Sequence, residues 1–187
     1  MPTYVALLRG INVGGRNLLP MKDLVRLFEA AGCAGARTYI QSGNVIFGAS
    51  PAKAEGLPER IVTAVADEFG YRTGVLLRTV EELGETIRNN PFAREGATEN
   101  WLHVLFLARR PDAAAVAALD PDRSAGDAYV VRGREIYLQC PNGVGKTKLT
   151  NAYFDARLAT VSTGRNWRTV RALFELAGAG GETQPSA

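Results

Sequence analysis

The order of apolar and polar positions along the chain predicts a βαββαβ pattern that occurs twice. Nearly continuous apolar runs indicate strands, and apolar residues at helical spacing with charged residues between them indicate helices that pack on one side. In the first copy the predicted elements are, in chain order, residues 3–9, 21–31, 36–40, 45–48, 57–69 and 73–77. A further helix is predicted over residues 80–88, before Pro91.

The second copy repeats this order and ends in another helix. Its predicted elements are residues 101–108, 112–119, 129–132, 135–139, 148–158 and 160–162, with the last helix over residues 167–177. The hexapeptide that starts at Arg78 (RTVEEL) is similar to the one that starts at Arg168 (RTVRAL), and both open a helix. Two matching element strings with this local similarity indicate a duplication.

We therefore expect an α+β protein of two tandem ferredoxin-like halves, each with a mainly antiparallel sheet covered by helices. Residues 1–90 would form the first half and residues 91–177 the second. The Gly-rich residues 178–187 have the composition of a disordered tail.

This topology brings two polar connections to one end of the first sheet. In a ferredoxin-like half the first and second strands run parallel, with the third antiparallel between them. The loop after the first strand and the turn after the second therefore emerge at the same end. The predicted ligand-binding residues at this end are Arg9, Asn12, Gly14, Gly15, Arg16, Asn17, Gln41, Ser42 and Asn44.

Two interpretations of this polar end stay open. Glycines allow positive φ, so successive backbone N–H groups could hold an anion near the start of the next helix, and arginines could bind phosphate or carboxylate. Alternatively, glycine serves the geometry of a long connection, and the asparagines and Ser42 serve local turns.

The last third of the chain is basic and contains the other candidate residues. Residues 141–174 carry six Lys or Arg against one Asp, whereas acids outnumber bases over residues 51–100. The candidates for ligand contact are Lys146, Lys148, Arg165, Asn166 and Trp167. Lys146 and Thr147 match the end of a phosphate-binding loop, but Cys140 stands where that motif needs its first glycine. Asn166 suits a helix N-cap, and Trp167 either anchors the last helix or stacks on a ligand.

Composition excludes several classes of protein. The 187 residues are 46% hydrophobic, with a net charge of +3 and no apolar run long enough for a membrane span. We expect a cytoplasmic protein without a membrane partner, since two distant cysteines and no signal-peptide pattern fit a reducing compartment. No His/Cys spacing suggests a metal site, and we expect no cofactor. His103, the sole histidine, has no carboxylate partner in the sequence, so catalytic residues and enzymatic activity stay open.

Three motifs, of which the first two are long and specific, resemble the bacterial family DUF1697, a domain of unknown function. They are residues 4–15 (YVALLRGINVGG), residues 38–45 (TYIQSGNV) and residues 165–170 (RNWRTV), and the resemblance covers the chain apart from its tail. It implies tandem ferredoxin-like domains and no transferable activity. The family pattern has Ser-Lys-Leu where this chain has Thr-Lys-Leu at residues 147–149, and often an Asn where this chain has Arg168.

Together these features predict binding of a phosphate-bearing or other anionic ligand, either a nucleotide or a nucleic-acid backbone. One alternative is an enzyme acting on a small polar or anionic substrate without a recognisable nucleophile. Another is a structural or interaction protein whose motifs stabilise its packing. The third strand lacks the interleaved aromatics of RNA-binding ferredoxin-like domains, and the sequence sets no oligomeric state.

Overall fold

The computed structural model describes residues 1–179, which form two four-stranded antiparallel sheets packed with helices. The strands are β1 (Thr3–Leu8), β2 (Ala34–Tyr39), β3 (Asn44–Gly48), β4 (Val75–Thr79), β5 (Leu102–Leu107), β6 (Ala128–Arg132), β7 (Glu135–Gln139) and β8 (Ser162–Asn166). The helices are α1 (Met21–Ala30), α2 (Pro51–Glu55), α3 (Leu57–Phe69), α4 (Val80–Arg88), α5 (Pro91–Arg94), α6 (Ala113–Ala117), α7 (Asn151–Leu158) and α8 (Trp167–Ala179). None of these helices is long and apolar enough to span a membrane.

The sheets have the same strand order, which confirms the predicted α+β fold of two ferredoxin-like halves. The order is β2-β3-β1-β4 in the first sheet and β6-β7-β5-β8 in the second, with every pairing antiparallel. Among the described residues, one compact unit comprises Met1–Gly84 and residues 172–179, and the other comprises Glu85–Arg171.

In the first unit the core forms because α1 and α3 each turn an apolar stripe toward one face of the sheet. Leu24 and Phe28 of α1 and Ile61 of α3 are buried in one cluster with strand residues such as Phe47. The rings of Phe28 and Phe47 lie 5.2 Å apart between centroids. Each fully buried side chain of this size stabilises the fold by roughly 1.5–3 kcal/mol.

In the second unit α7 covers the equivalent face of the sheet. Phe154 is fully buried in a cluster with Leu105 and Ile136. The Phe154 ring meets the ring of Tyr129 edge-on at 5.4 Å and that of Tyr153 at 5.1 Å. The two units thus have the same strand order but fill their hydrophobic cores with different side chains.

Two buried arginines occupy equivalent places in the two sheets. Arg78 lies opposite Val5 in the β1–β4 pair, and Arg165 lies opposite Val104 in the β5–β8 pair. Their exposed fractions are 1% and 8%. By this register Arg78 corresponds to Arg165, so the hexapeptides that start at Arg78 and Arg168 are three residues out of structural register. The pairing register, rather than that local similarity, relates the two halves.

Some predicted boundaries differ from the structure for identifiable reasons. The last strand lies at Ser162–Asn166 instead of residues 160–162, because its polar sequence pairs with β5. Helix α7 begins at Asn151 instead of residue 148, since the Thr150 hydroxyl accepts a hydrogen bond from the Tyr153 N–H and so caps the helix there. Helix α8 includes Gly178 and Ala179 of the predicted disordered tail, and the rest of that tail lies outside the described residues.

Candidate functional site

The loop after β1 forms a small hairpin. The Asn12 N–H donates to the Asn17 carbonyl and the Arg16 N–H donates to the Val13 carbonyl, both at 3.1 Å. Gly14 and Gly15 form the turn with φ of 58° and 72°, a pair of left-handed residues that suits a tight hairpin turn.

The Asn12 side chain joins this hairpin to the turn after β2. Its amide donates to the Leu19 carbonyl at 3.0 Å and to the Gln41 carbonyl at 3.1 Å, and its oxygen accepts from the Leu19 N–H at 2.8 Å. In addition, the Leu8 N–H donates to the Gly43 carbonyl at 2.8 Å. The two connections therefore meet at one end of the first sheet, as the topology predicts.

Two other predicted asparagines also bond within the protein. The Asn17 amide donates to the Gly10 carbonyl at 3.0 Å. The Asn44 side chain is fully buried, and its amide donates to the Tyr39 carbonyl and to the Ser42 hydroxyl at 3.1 Å and 2.9 Å. These contacts favour the interpretation in which the asparagines hold the two connections in place.

The remaining predicted residues of this end differ in exposure. Arg16 and Gln41 are exposed, and the Arg16 guanidinium has no partner within residues 1–179. The backbone of Arg9 is tied to the strand end, because its carbonyl accepts from the Thr73 hydroxyl and its N–H donates to Gly74. Side chains added at Gly14 or Gly15 would meet open space.

In the second unit, Lys146 and Lys148 lie on an exposed loop between β7 and α7. The loop is folded by backbone turns, with the Lys146 N–H donating to Gly143 and the Lys148 N–H donating to the Ser124 hydroxyl at 3.1 Å. Because α7 begins at Asn151, Lys146 and Thr147 do not stand at a helix start, which removes the resemblance to a phosphate-binding loop.

The Arg-Asn-Trp motif divides into three roles. Arg165 is buried and donates to the Thr163 hydroxyl and the Gly164 carbonyl at 2.9 Å and 2.8 Å, and burial lowers its pKa to about 10. The Asn166 oxygen accepts from the Thr169 N–H at 2.8 Å and so caps α8. Trp167 is only 5% exposed, so it anchors the helix and offers little surface for stacking.

A pocket of about 240 Å³ opens where this motif meets the start of β5. We call it the α8 pocket, and its lining residues are Glu99, Asn100, His103, Asn166, Trp167 and Arg168. His103 lies directly opposite Asn166 in the β5–β8 pair. The sequence prediction named Asn166 and Trp167 but not His103 and Arg168, because the register that joins them depends on non-local strand pairing.

His103 contributes a neutral imidazole to the α8 pocket. Its Nδ1 atom is buried without a hydrogen-bond partner, and the residue lines the pocket. Burial lowers the pKa of His103 below its ordinary value, and the Trp101 backbone opposes this effect only in part. The ring is therefore uncharged near neutral pH.

The α8 pocket is lined by two charged side chains, Arg168 and Glu99. Arg168 is exposed, and its guanidinium makes no hydrogen bond or ion pair within the described part of the chain. The first N–H groups of α8, a helix of 13 residues, lie beside it and carry the positive end of the helix dipole. Glu99 pairs with Arg171 at 3.1 Å, and Arg171 does not line the pocket.

Neither cysteine is placed to act as a nucleophile. Cys33 and Cys140 are free and buried. Burial, together with the nearby Asp127 carboxylate, raises the pKa of the Cys140 thiol to about 11, so its nucleophilic thiolate does not form near neutral pH. Within residues 1–179, no three His, Cys, Asp or Glu side chains group to hold a metal ion.

Comparison with known proteins gives a family and a fold. The family described as "Protein of unknown function (DUF1697)" matches residues 1–137. Among solved structures, the chain is similar to the conserved bacterial protein SP0830 from Streptococcus pneumoniae, with a TM-score of 0.72 and 24% identity over 94% of this chain and 98% of that one. At this identity the similarity shows the fold alone. None of the curated proteins matches the chain.

Proposed function

The chain belongs to the DUF1697 family, whose function is unknown, and we propose that it binds a small ligand bearing a phosphate or carboxylate group in the α8 pocket. The observation that carries the proposal is the unpartnered Arg168 guanidinium beside the start of α8 at the mouth of a pocket. A guanidinium and a helix start are complementary to an anion, and each favours its binding. Asn100, Asn166 and His103 add neutral hydrogen-bonding groups that would orient the ligand.

The size and lining of the α8 pocket favour a small anionic ligand, and they favour binding over covalent catalysis. At about 240 Å³ it is smaller than a usual drug-sized site and suits one phosphate or carboxylate group with a short attachment. Its lining residues include no Ser, Thr or Cys that could serve as a nucleophile. A nucleic-acid strand would need several stacking aromatics, whereas Trp167 is buried. The site would act in the cytoplasm, the compartment that the sequence predicts.

The single histidine makes the proposal directly testable. The imidazole signals of His103 are followed by NMR while inorganic phosphate is added at constant ionic strength. We expect a saturable shift, and a higher pKa of His103 with phosphate bound, because a nearby anion favours the protonated ring. Arg168→Gln should weaken phosphate binding by about tenfold or more, since a charge-assisted hydrogen bond contributes about 1.5–3 kcal/mol.

The matched control is Arg110→Gln, which removes an exposed arginine that lies outside the α8 pocket and has no side-chain partner within residues 1–179. Its phosphate affinity should equal that of the unchanged protein. Equal binding by the Arg110→Gln and Arg168→Gln proteins, or a shift that never saturates, would reject the α8 pocket as the site. Oligonucleotide binding that falls steeply with salt while phosphate leaves His103 unaffected would favour the nucleic-acid hypothesis instead.

A further inference from the structure

The hairpin after β1 and the turn after β2 expose large aliphatic side chains. Val13 is 65% exposed, Leu18 is 64% exposed and Ile40 is 49% exposed. We call these three residues, together with Arg16, the hairpin tip. Moving aliphatic side chains of this size out of water is favourable. Exposed apolar patches are typical of interaction surfaces.

One side chain holds the hairpin tip together. Asn12 directly precedes Val13, and its side chain is hydrogen-bonded to Leu19 and Gln41, the residues that follow Leu18 and Ile40. Each of the three aliphatic residues is therefore a sequence neighbour of a residue in this hydrogen-bonded anchor. Tyr71 adds a further support, because its hydroxyl donates to the Asn17 carbonyl at 3.0 Å. A surface fixed in this way loses little conformational entropy when a partner binds.

The backbone of Ile40 gives an independent indication. Its φ of 49° lies in the left-handed region, which a β-branched residue rarely adopts. Its side chain is exposed, so burial does not explain why isoleucine stands there. Strained conformations of this kind concentrate at functional sites.

The hairpin tip is also basic. Residues 1–22 and 33–50 contain no Asp or Glu, and the guanidinium of Arg16 has no partner in the described structure. A partner would therefore gain by presenting carboxylates around an apolar centre. A second copy of the chain would bring arginine against arginine.

We propose that the hairpin tip is a docking surface for a protein segment that carries aliphatic side chains flanked by Asp or Glu. The apolar centre would bind beside Val13, Leu18 and Ile40, and the carboxylates would pair with Arg16. The tip contains no aromatic side chain on which nucleic-acid bases could stack. Stable attachment to anionic lipid needs a larger cluster of basic residues than one arginine supplies.

A displayed library of random peptides, selected against the full chain, tests this proposal. We expect enriched peptides to combine aliphatic residues with Asp or Glu. Fluorescence anisotropy on a synthesised peptide should show that Leu18→Ser weakens binding about tenfold or more, the loss typical of a central contact. Arg16→Glu should weaken it by a similar factor. The matched controls are Val161→Ser, at a site 43% exposed, and Arg110→Glu, and both should bind as the unchanged protein does.

Ile40→Asn separates docking from stability, because asparagine tolerates the left-handed backbone better than isoleucine. This variant should bind the peptide more weakly while its melting temperature stays the same or rises. Failure to enrich such peptides, or equal binding by the Leu18→Ser and Val161→Ser proteins, would overturn the proposal. The proposal would also be overturned if the protein sedimented with phosphatidylserine vesicles and Leu18→Ser abolished this binding. That result would assign the hairpin tip to a membrane surface.

Discussion

At the scale of single residues, the clearest consequence of burial concerns the ionisation of His103. Its pKa in the folded protein is lowered by burial, whereas in the unfolded chain it is about 6.5. Well above pH 6.5 the ring is mainly neutral in both states. As the pH falls from 6.5 toward the folded pKa, the unfolded chain takes up the proton more readily, so folding stability is lost.

We therefore expect His103→Gln to reduce the loss of stability on acidification. Urea unfolding of both proteins at pH 7 and pH 5 measures this, and the decrease should be smaller in the variant. Carboxylates that titrate in the same range contribute equally to both proteins, so the difference isolates the histidine. Parallel decreases would mean that the folded protein accommodates the charged ring, for instance by turning it toward Glu99.

The polar residues also show how far sequence reasoning extends at this scale. The sequence singles out Asn12, Asn17 and Arg165, and all three are engaged in specific hydrogen bonds. It does not show whether their polar atoms face a ligand or the protein's own backbone, because turn-forming asparagine and ligand-binding asparagine follow the same local pattern. The sequence offers His103 no carboxylate partner and so does not place it in a site, because its pocket forms only through the pairing of β5 with β8.

At the scale of elements, the start of α8 combines a cap with the proposed anion site, and one substitution can separate the two roles. Asn166→Asp keeps an acceptor for the Thr169 N–H and places a negative charge at the positive end of the helix. Stability should be unchanged or rise by roughly 0.3–1 kcal/mol. Phosphate affinity should fall several-fold, because the new carboxylate repels the ligand.

Thr150→Asp provides the matched control for this prediction. Thr150 caps α7 by accepting from the Tyr153 N–H and does not line the α8 pocket. The same new charge at that helix start should leave phosphate binding unchanged. Isothermal titration with phosphate and urea unfolding measure the two quantities, and equal loss of affinity in both variants would show a general charge effect instead of a local site.

Several elements with strong periodicity follow from the sequence, although the strand predicted over residues 73–77 lies at Val75–Thr79. The helix predicted over residues 80–88 coincides with α4, and the hairpin strand at residues 135–139 coincides with β7. In contrast, β8 has the polar sequence Ser-Thr-Gly-Arg-Asn, and only its pairing with β5 makes it a strand. Such tertiary pairing overrides local propensity.

At the scale of the whole molecule, the duplication places one buried arginine in each half. Arg78 and Arg165 occupy the same position in their sheets, and the two pairings share one register. A buried guanidinium persists only with hydrogen-bonding partners, which for Arg165 include the Thr163 hydroxyl and the Gly164 carbonyl. The Arg78 guanidinium donates to the Leu77 carbonyl at 2.9 Å. Each half therefore contains a buried arginine at this position, although burial of its charge is unfavourable.

If both arginines serve the framework, replacing either should destabilise the fold to a similar extent. Arg78→Met and Arg165→Met keep most of the side-chain volume but leave buried acceptors without donors, which costs about 1–3 kcal/mol for each orphaned group. Arg110→Met, at an exposed position, should change the free energy of unfolding by less than about 0.5 kcal/mol. Urea unfolding compares the three variants. A substantial loss in only one of the buried variants would mean that the two halves no longer use this arginine in the same way, although their strand registers coincide.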